Sequence, residues 1–512
     1  MRSILSLVGL LLLGVMAVLV QDFNMLMESS QTAERHRSLR SEGASPTITA
    51  DISDTNIMNS FSQLDIEKAL PYFHTWYMRL LVFDGENFTV HAIGHNSTLL
   101  RPEFRASGRL FKLVPFLVHA LTSNFPDRFK PGKPPFQLLF SEADLISTDC
   151  GIDGKICPSS EFPPILAFGS VYKDMTMLPT VKSMPPPARW FTCLYNWRLQ
   201  DPSKTCPLRQ KINFGLQWDE LKPQVVWRGA DWPFLPHMKN LQGEGFMEVR
   251  WKTELMWKGK ENRTGMLQHL KEYENDLPPR WKANLWTLEA EQTETPWIDS
   301  RFVGGLNIQF RDDLIGMGLE VNGQRIEEFE MSGYKYQVDF GGGGGTTWDG
   351  TMAKLLAPGV LFHHETPTKD FFYDDMKPWV HYIPVRTDLT DLKQKFDWAE
   401  KNPEGAKLIS EEATRFAEHL ISRQYLAKTY RTLFIDYLGQ VVRSYKPQGK
   451  HSLDSLLQQY HDAGMIIHPL STCDETFCTT NADGVEKRFK HAARQPSSQG
   501  RPSQGGRQQV KV

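Results

Sequence analysis

The sequence predicts an α/β fold built around a mainly parallel sheet. Three observations carry that expectation. Short apolar runs rich in β-branched and aromatic residues occur at Phe136–Phe140, Ile165–Gly169, Gln224–Trp227 and Tyr334–Phe340, and again from Gly359. Helix-like stretches alternate with them, as βαβ units require. Past Val385 the apolar spacing changes to three and four residues, the period of amphipathic helices.

The elements follow in order. The chain has 512 residues, enough for two or three domains. It opens MRSILSLVGLLLLGVMAVLVQDF, and Ile4–Val20 is apolar apart from Ser6 and two glycines. As a helix this run would reach ~26 Å, just short of a ~30 Å hydrocarbon core. Arg2 precedes it and Asp22 follows, which directs the remainder into a lumen. Residues 1–20 therefore read as a signal anchor, with a cleaved signal peptide as the alternative. Residues 21–64 are polar and Ser/Thr-rich and read as a stem. An N-terminal domain is expected over 65–215 and a second over 216–445. In the second, Leu389, Leu392, Phe396 and Ala399 share one helix face. Ala406, Ile409, Ala413, Phe416 and Leu420 share the next. Residues 446–512 form an extension, with a basic Gln/Ser/Gly/Arg-rich tail past about Val485 that reads as disordered.

Composition narrows the function classes. A net charge of −2 excludes a whole-molecule electrostatic binder of nucleic acid. Cys150, Cys157, Cys193, Cys206, Cys473 and Cys478 fall into three close pairs. An even count fits local disulfides in an oxidising compartment, though their connectivity stays open. No C-x-x-C supports a zinc site. Sequons at Asn87, Asn96 and Asn262 fit the same compartment.

The stretch YKYQVDFGGGGGTTWDGTMAKLL, Tyr334–Leu356, carries the unusual chemistry. Its five glycines are not a Walker loop, because no Gly-Lys-Ser/Thr closes them. Pentaglycine satisfies almost any G-x-G-x-x-G pattern, so that match is uninformative. Taken alone, the run reads as a flexible insertion at a strand end.

Its surroundings alter that reading. The block YKYQVDF…TTWDGTMAKLLAPGVLFHH…DFFYDDMKPWVHYIPVRTDLTDL resembles glycosyltransferase family 90, and the likeness continues through Trp398-Ala399, Asn402, Ala406, Ile409, Ala413 and Phe416. It covers roughly Phe136–Leu420 and is strongest over Tyr334–Phe416. The resemblance implies a GT-B-like architecture: two Rossmann-like domains facing across a cleft, acceptor-side first and nucleotide-sugar-binding second, with C-terminal helices. It implies an inverting transfer of glucose or xylose from a UDP-sugar to a hydroxyl of a protein or glycan. The expected location is the lumen of the Golgi or endoplasmic reticulum, as a single-pass type II membrane protein or, after signal cleavage, a secreted one. No metal and no further cofactor are implied, and the chain has no Asp-x-Asp.

Such a transfer needs a carboxylate ~3 Å from the acceptor hydroxyl and positive groups at the departing diphosphate. By the resemblance Asp144, just past the strand Phe136–Phe140, is the base. Glu142 competes with it, and either could instead cap the turn. Arg228, with Gly229 beside it, corresponds to the family's phosphate-binding arginine. Many relatives carry Trp-Ser-Gly-Arg where this chain has Trp348-Asp349-Gly350-Thr351. Thr351 thus replaces an arginine, and Asp349 would repel a diphosphate. Glycine amides, a helix start near Gly350 and Lys354 are the expected compensation. Glu365 is a candidate ribose acceptor and Asp339 a candidate nucleotide-site residue, while Trp379 and His381 read as structural. The rival function is a non-catalytic nucleotide- or glycan-binding descendant.

Overall fold

In the computed structural model of the chain, the described residues are 60–69, 78–94, 110–145, 163–173, 181–183, 208–230, 263–272, 274–303, 326–347, 349–447, 466–473, 477–482 and 485–490. The expected anchor and most of the expected stem lie outside them, as do Trp348 and four of the six cysteines. Among the described residues no helix is long and apolar enough to cross a membrane.

The chain divides into two compact units, and the division differs from the expected boundaries. One unit takes 61–142, 163–165 and the residues from 445 onward. The other takes 143–162 and 166–444.

In the first unit Phe61–Ser62 and Tyr445–Lys446 form a short parallel pair, while the larger sheet runs antiparallel through Val485–Lys490, Phe477–Ala482, Ile466–Cys473, Phe88–Gly94, Met78–Phe83 and Phe136–Ser141. A Rossmann-like, parallel arrangement was expected here. The reason for the difference is local. Met78–Phe83 returns as Phe88–Gly94 through Asp84–Asn87, far too short for a parallel crossover of a dozen residues. Asp84 fixes that turn by accepting from the Glu86 and Asn87 N–H groups at 2.8 and 2.7 Å, and Gly85 takes φ +108°. Val485–Lys490 is a strand where the sequence suggested the start of a disordered tail. Cys473 and Cys478 stand directly opposite each other in their hairpin.

The second unit holds a parallel sheet of β1 (Lys222–Gly229), β2 (Ile298–Phe302), β3 (Tyr334–Val338), β4 (Val360–His364) and β5 (Ile383–Val385). Their order is β2-β1-β3-β4-β5, with every neighbouring pair parallel. This is a doubly wound order whose direction reverses between β1 and β3. Helices follow the strands: α1 (Pro279–Ala290) precedes β2, α2 (Asp349–Leu356) joins β3 to β4, and α3 (Leu392–Lys401) and α4 (Pro403–Leu420) follow β5. Beyond them, Arg423–Ser444 is helical with a π-helical segment at Tyr430–Ile435. The fold is therefore mixed α/β with a parallel sheet.

The sequence periodicity explains the core. Leu389, Leu392, Phe396, Ala399, Ala406 and Ile409 are all buried in one cluster with Val225, Trp227, Tyr336, Val338, Phe340, Val360 and Phe362. Burial of a side chain such as Phe or Leu is worth roughly 1.5–3 kcal/mol, so this cluster ties the sheet to the helices that follow it. In an open sheet of this kind the crevice at the strand-order reversal is where ligands bind. Here that point lies beside Gly229-Ala230 and the glycine run.

Candidate active site

The glycine run is a packed turn rather than a slack linker. Phe340 follows shortly after the end of β3, and the Gly341 N–H donates to His364 Nδ1 at 3.0 Å. The Gly345 N–H closes onto the Gly342 carbonyl at 2.9 Å, and Gly345 takes φ +78°, a region that glycine enters without strain. The Thr368 hydroxyl donates to the Gly344 carbonyl at 2.7 Å. A Cβ on Gly342 would sit 2.8 Å from an Arg280 nitrogen, and one on Gly344 would sit 2.4 Å from the Asp144 carbonyl oxygen. Two of the five glycines are thus required by what packs against them.

Arg280 comes from the first turn of α1, which starts at Pro279, a residue suited to that position. It donates to the Ala230 carbonyl at 2.8 Å and to the Phe340 carbonyl at 3.0 Å. The guanidinium therefore bridges the ends of β1 and β3 where the strand order reverses, and it lies 5.1 Å from the Trp227 ring centroid. It is 9% exposed. Sequence reasoning missed it; a signal existed in Pro-Pro-Arg-Trp, a helix start bearing an arginine in its first turn.

Asp144 sits between two glycines. Its carbonyl accepts from the Ser170 N–H at 2.8 Å, and a Cβ on Gly169 would stand 2.1 Å from the same oxygen. Its Oδ2 lies 3.9 Å from the Cβ position of Gly343. The side chain is half-buried. Glu142 differs: it is fully buried and forms an ion pair with the equally buried Arg79. The geometry leaves Asp144, not Glu142, at the glycine run.

Asp339 and Thr351 form a buried hub behind the run. Asp339 accepts from the Thr351 hydroxyl at 2.7 Å, from His363 Nδ1 at 2.7 Å and from the His364 N–H at 2.9 Å. Burial pushes the Asp339 carboxyl up, but the charge and hydrogen bond of His363, with Lys354 and Thr351, hold it below the usual range. Thr351 is fully buried, its hydroxyl also 2.6 Å from Thr347 Oγ1. It joins the strand end to α2. Burial lowers His364 to about 4, so it stays neutral, donating from Nε2 to the Thr387 carbonyl.

Arg228, next to Gly229 near the end of β1, pairs with the neighbouring strand. It donates to the Asp299 carboxylate and carbonyl at 2.7 and 2.6 Å, with Arg301 on the other carboxylate oxygen at 2.6 Å. Burial raises the Asp299 carboxyl, yet the Arg228 and Arg301 partners bring it below its ordinary value. The expected diphosphate clamp is thus engaged in an ion pair with β2. Gly229 is needed because a Cβ there would meet the Trp227 ring at 2.4 Å. Lys354 donates back to the Gly350 carbonyl at 3.3 Å, at the start of α2. Glu365 is exposed at the end of β4. His381 stacks on Phe416 at 4.1 Å and Trp379 meets Trp398 edge-on at 4.9 Å, both structural contacts. Among the described residues no group of three or more His, Cys, Asp or Glu is arranged to hold a metal.

Comparison with known proteins bears on this site. The profile of Glycosyl transferase family 90 matches residues 237–465. Over those residues the chain is similar to that family. The matched region holds Arg280, the glycine run, α2 and the hub around Asp339. The chain is 31% identical over 187 residues to Protein O-glucosyltransferase 2 of Danio rerio, covering 35% of each chain. It is 30% identical over 144 residues to Protein O-glucosyltransferase 3 of Homo sapiens, covering 27% of this chain and 26% of the relative. The chain thus spans about a third or less of the length of these relatives. A solved structure of Anabaena Alr3699/HepE in complex with UDP-glucose aligns over 54% of this chain and 65% of that one, with 12% identity and a TM-score of 0.26, too low to bear on the fold.

Proposed function

We propose that the protein is an inverting glycosyltransferase that moves glucose or xylose from a UDP-sugar to a hydroxyl of a protein or glycan. The observation that carries this reading is the glycine run packed between the Asp144 carboxylate and the Arg280 guanidinium, within a family 90 region. In the reaction the acceptor oxygen attacks C1 of the sugar, and Asp144 takes the hydroxyl proton. The C1–O bond to UDP breaks, and the diphosphate leaves with the electron pair. Arg280 supplies a fixed positive charge beneath the run. Main-chain amides, Lys354 and the start of α2 add to the field that the leaving group meets.

A GT-B arrangement belongs to this reading and rests on the family resemblance; of the two expected Rossmann-like halves, the parallel unit has described strands of that kind. The same reading sets the chain in the lumen of the Golgi or endoplasmic reticulum, with 1–20 as signal anchor and disulfides among the cysteines, supported by sequence pattern. The test is UDP release from the lumenal fragment across a panel of UDP-sugars, with Asp144→Asn as the control. Release from UDP-glucose or UDP-xylose that the variant loses supports the proposal. No release from any donor contradicts it.

A second reading, a non-catalytic nucleotide- or glycan-binding descendant, is favoured by the Arg228–Asp299 pair and the buried Thr351. Tight UDP binding by calorimetry without hydrolysis or transfer would select it.

A further inference from the structure

Asp370 is a buried carboxyl that the reaction does not use. It is 7% exposed and follows Thr368–Lys369, which pairs with Val171–Tyr172. Its Oδ1 accepts from the Thr346 hydroxyl at 3.3 Å. Thr346 Oγ1 is also 2.6 Å from Ser170 Oγ, and the Ser170 N–H holds the Asp144 carbonyl. Asp370 is therefore linked through two hydroxyl residues to the backbone of Asp144, along the end of the glycine run. Its Oδ2 is buried without a hydrogen-bond partner among the described residues. An ionised carboxylate in that position leaves a charged oxygen unsatisfied, whereas a neutral acid does not.

We propose that Asp370 is a positioning residue that makes the donor site pH-sensitive: as a neutral acid it is accommodated in the packing that seats the glycine run against Asp144, and on ionising the unpartnered charge on its Oδ2 loosens that packing. The proposal rests on the reading of the run as the donor site. The charged and titratable groups facing Asp370 are Asp144, Asp339 after β3, His363 on β4 and Tyr373. Burial raises the Asp370 carboxyl to about 7; Thr346 and His363 pull it down, and Asp339 and Asp144 push it up. An unfolded aspartate titrates near ~3.9. The folded state thus binds more protons than the unfolded one between about 4 and about 7. Its stability contribution is complete below that window and is lost as pH rises through it.

The experiment measures Tm from pH 4 to 8.5 for the wild type and Asp370→Asn, without ligand, and UDP affinity by calorimetry at pH 6 and 8. Comparing the two proteins cancels the titration of UDP and of every group that does not face Asp370. The expected result is a Tm advantage of the Asn variant that grows up to about pH 7 and then levels, with a several-fold loss of UDP affinity at pH 8 in the wild type alone. A flat Tm difference, or parallel UDP affinities, overturns the proposal. Absence of UDP binding by both proteins at every pH overturns the donor-site reading and the positioning role with it, while the Tm difference still reports whether Asp370 titrates. Should Asp370→Asn not fold, Thr346→Val reads the same group: loss of its donated hydrogen bond moves the upper end of the transition to higher pH, and an unmoved transition overturns the proposal.

Discussion

Asp144 and Gly344 are packed so closely that a Cβ on Gly344 would lie 2.4 Å from the Asp144 carbonyl oxygen and 3.0 Å from the Asp144 Cβ. The candidate base is therefore seated on the glycine run, and the run's composition is a packing requirement. Gly344→Ala should destabilise the protein by about 1–3 kcal/mol, the usual range for overpacking. Gly343→Ala, whose nearest neighbour would be 3.9 Å away, should change stability by less than about 0.5 kcal/mol. Urea unfolding of the two variants measures the contrast.

Arg280 ties the ends of β1 and β3 together through two carbonyls. Arg280→Lys removes the forked geometry and leaves at least one buried carbonyl without its donor, a loss of roughly 1–3 kcal/mol. UDP affinity should fall in parallel, because the positive charge no longer lies fixed beneath the run. Thermal unfolding and calorimetry on the same variant test both effects.

Much of the second unit was legible in the sequence because its strands are continuous apolar runs and its last helices keep strict spacing. Leu392, Phe396, Ala399, Ala406 and Ile409 are buried as that spacing predicts. The first unit was less legible. Its strands carry the same apolar signature, and only the Asp84-Gly85 turn distinguishes an antiparallel hairpin from a parallel crossover. The site shows the same division. Asp144 is positioned by a chain-local feature, a strand end, which is what lets a sequence name it as a candidate. Arg280 and Asp370 act through residues 50 or more positions away in Ala230 and 24 away in Thr346, which no local pattern reports. The pairing of Arg228 was not legible, because the Arg-Gly motif does not reveal Asp299 on the neighbouring strand.

His364 gives a pH signature opposite in sign to that of Asp370. Its imidazole, lowered to about 4 by burial, accepts from the Gly341 N–H as a neutral ring. An unfolded histidine titrates near ~6.5, so the unfolded state binds more protons between about 4 and about 6.5. Stability must fall as pH drops through that window, by about 3 kcal/mol in total. His364→Gln should flatten this slope. An unchanged slope in pH-dependent unfolding would remove His364 as its source.

Asp144→Asn keeps the volume of the side chain and removes its basicity. Turnover should drop by roughly 10²–10⁴-fold while UDP affinity changes little, since the proton transfer occurs only in the transition state. Steady-state UDP release with saturating acceptor, set beside UDP calorimetry, separates the two.

The most direct measurement is a crystal structure of the protein soaked with UDP. The account predicts diphosphate oxygens within about 3 Å of main-chain amides in Gly342–Gly344, on the side facing Asp144. A diphosphate bound instead at the Arg228–Asp299 edge, with the glycine run untouched, would contradict it.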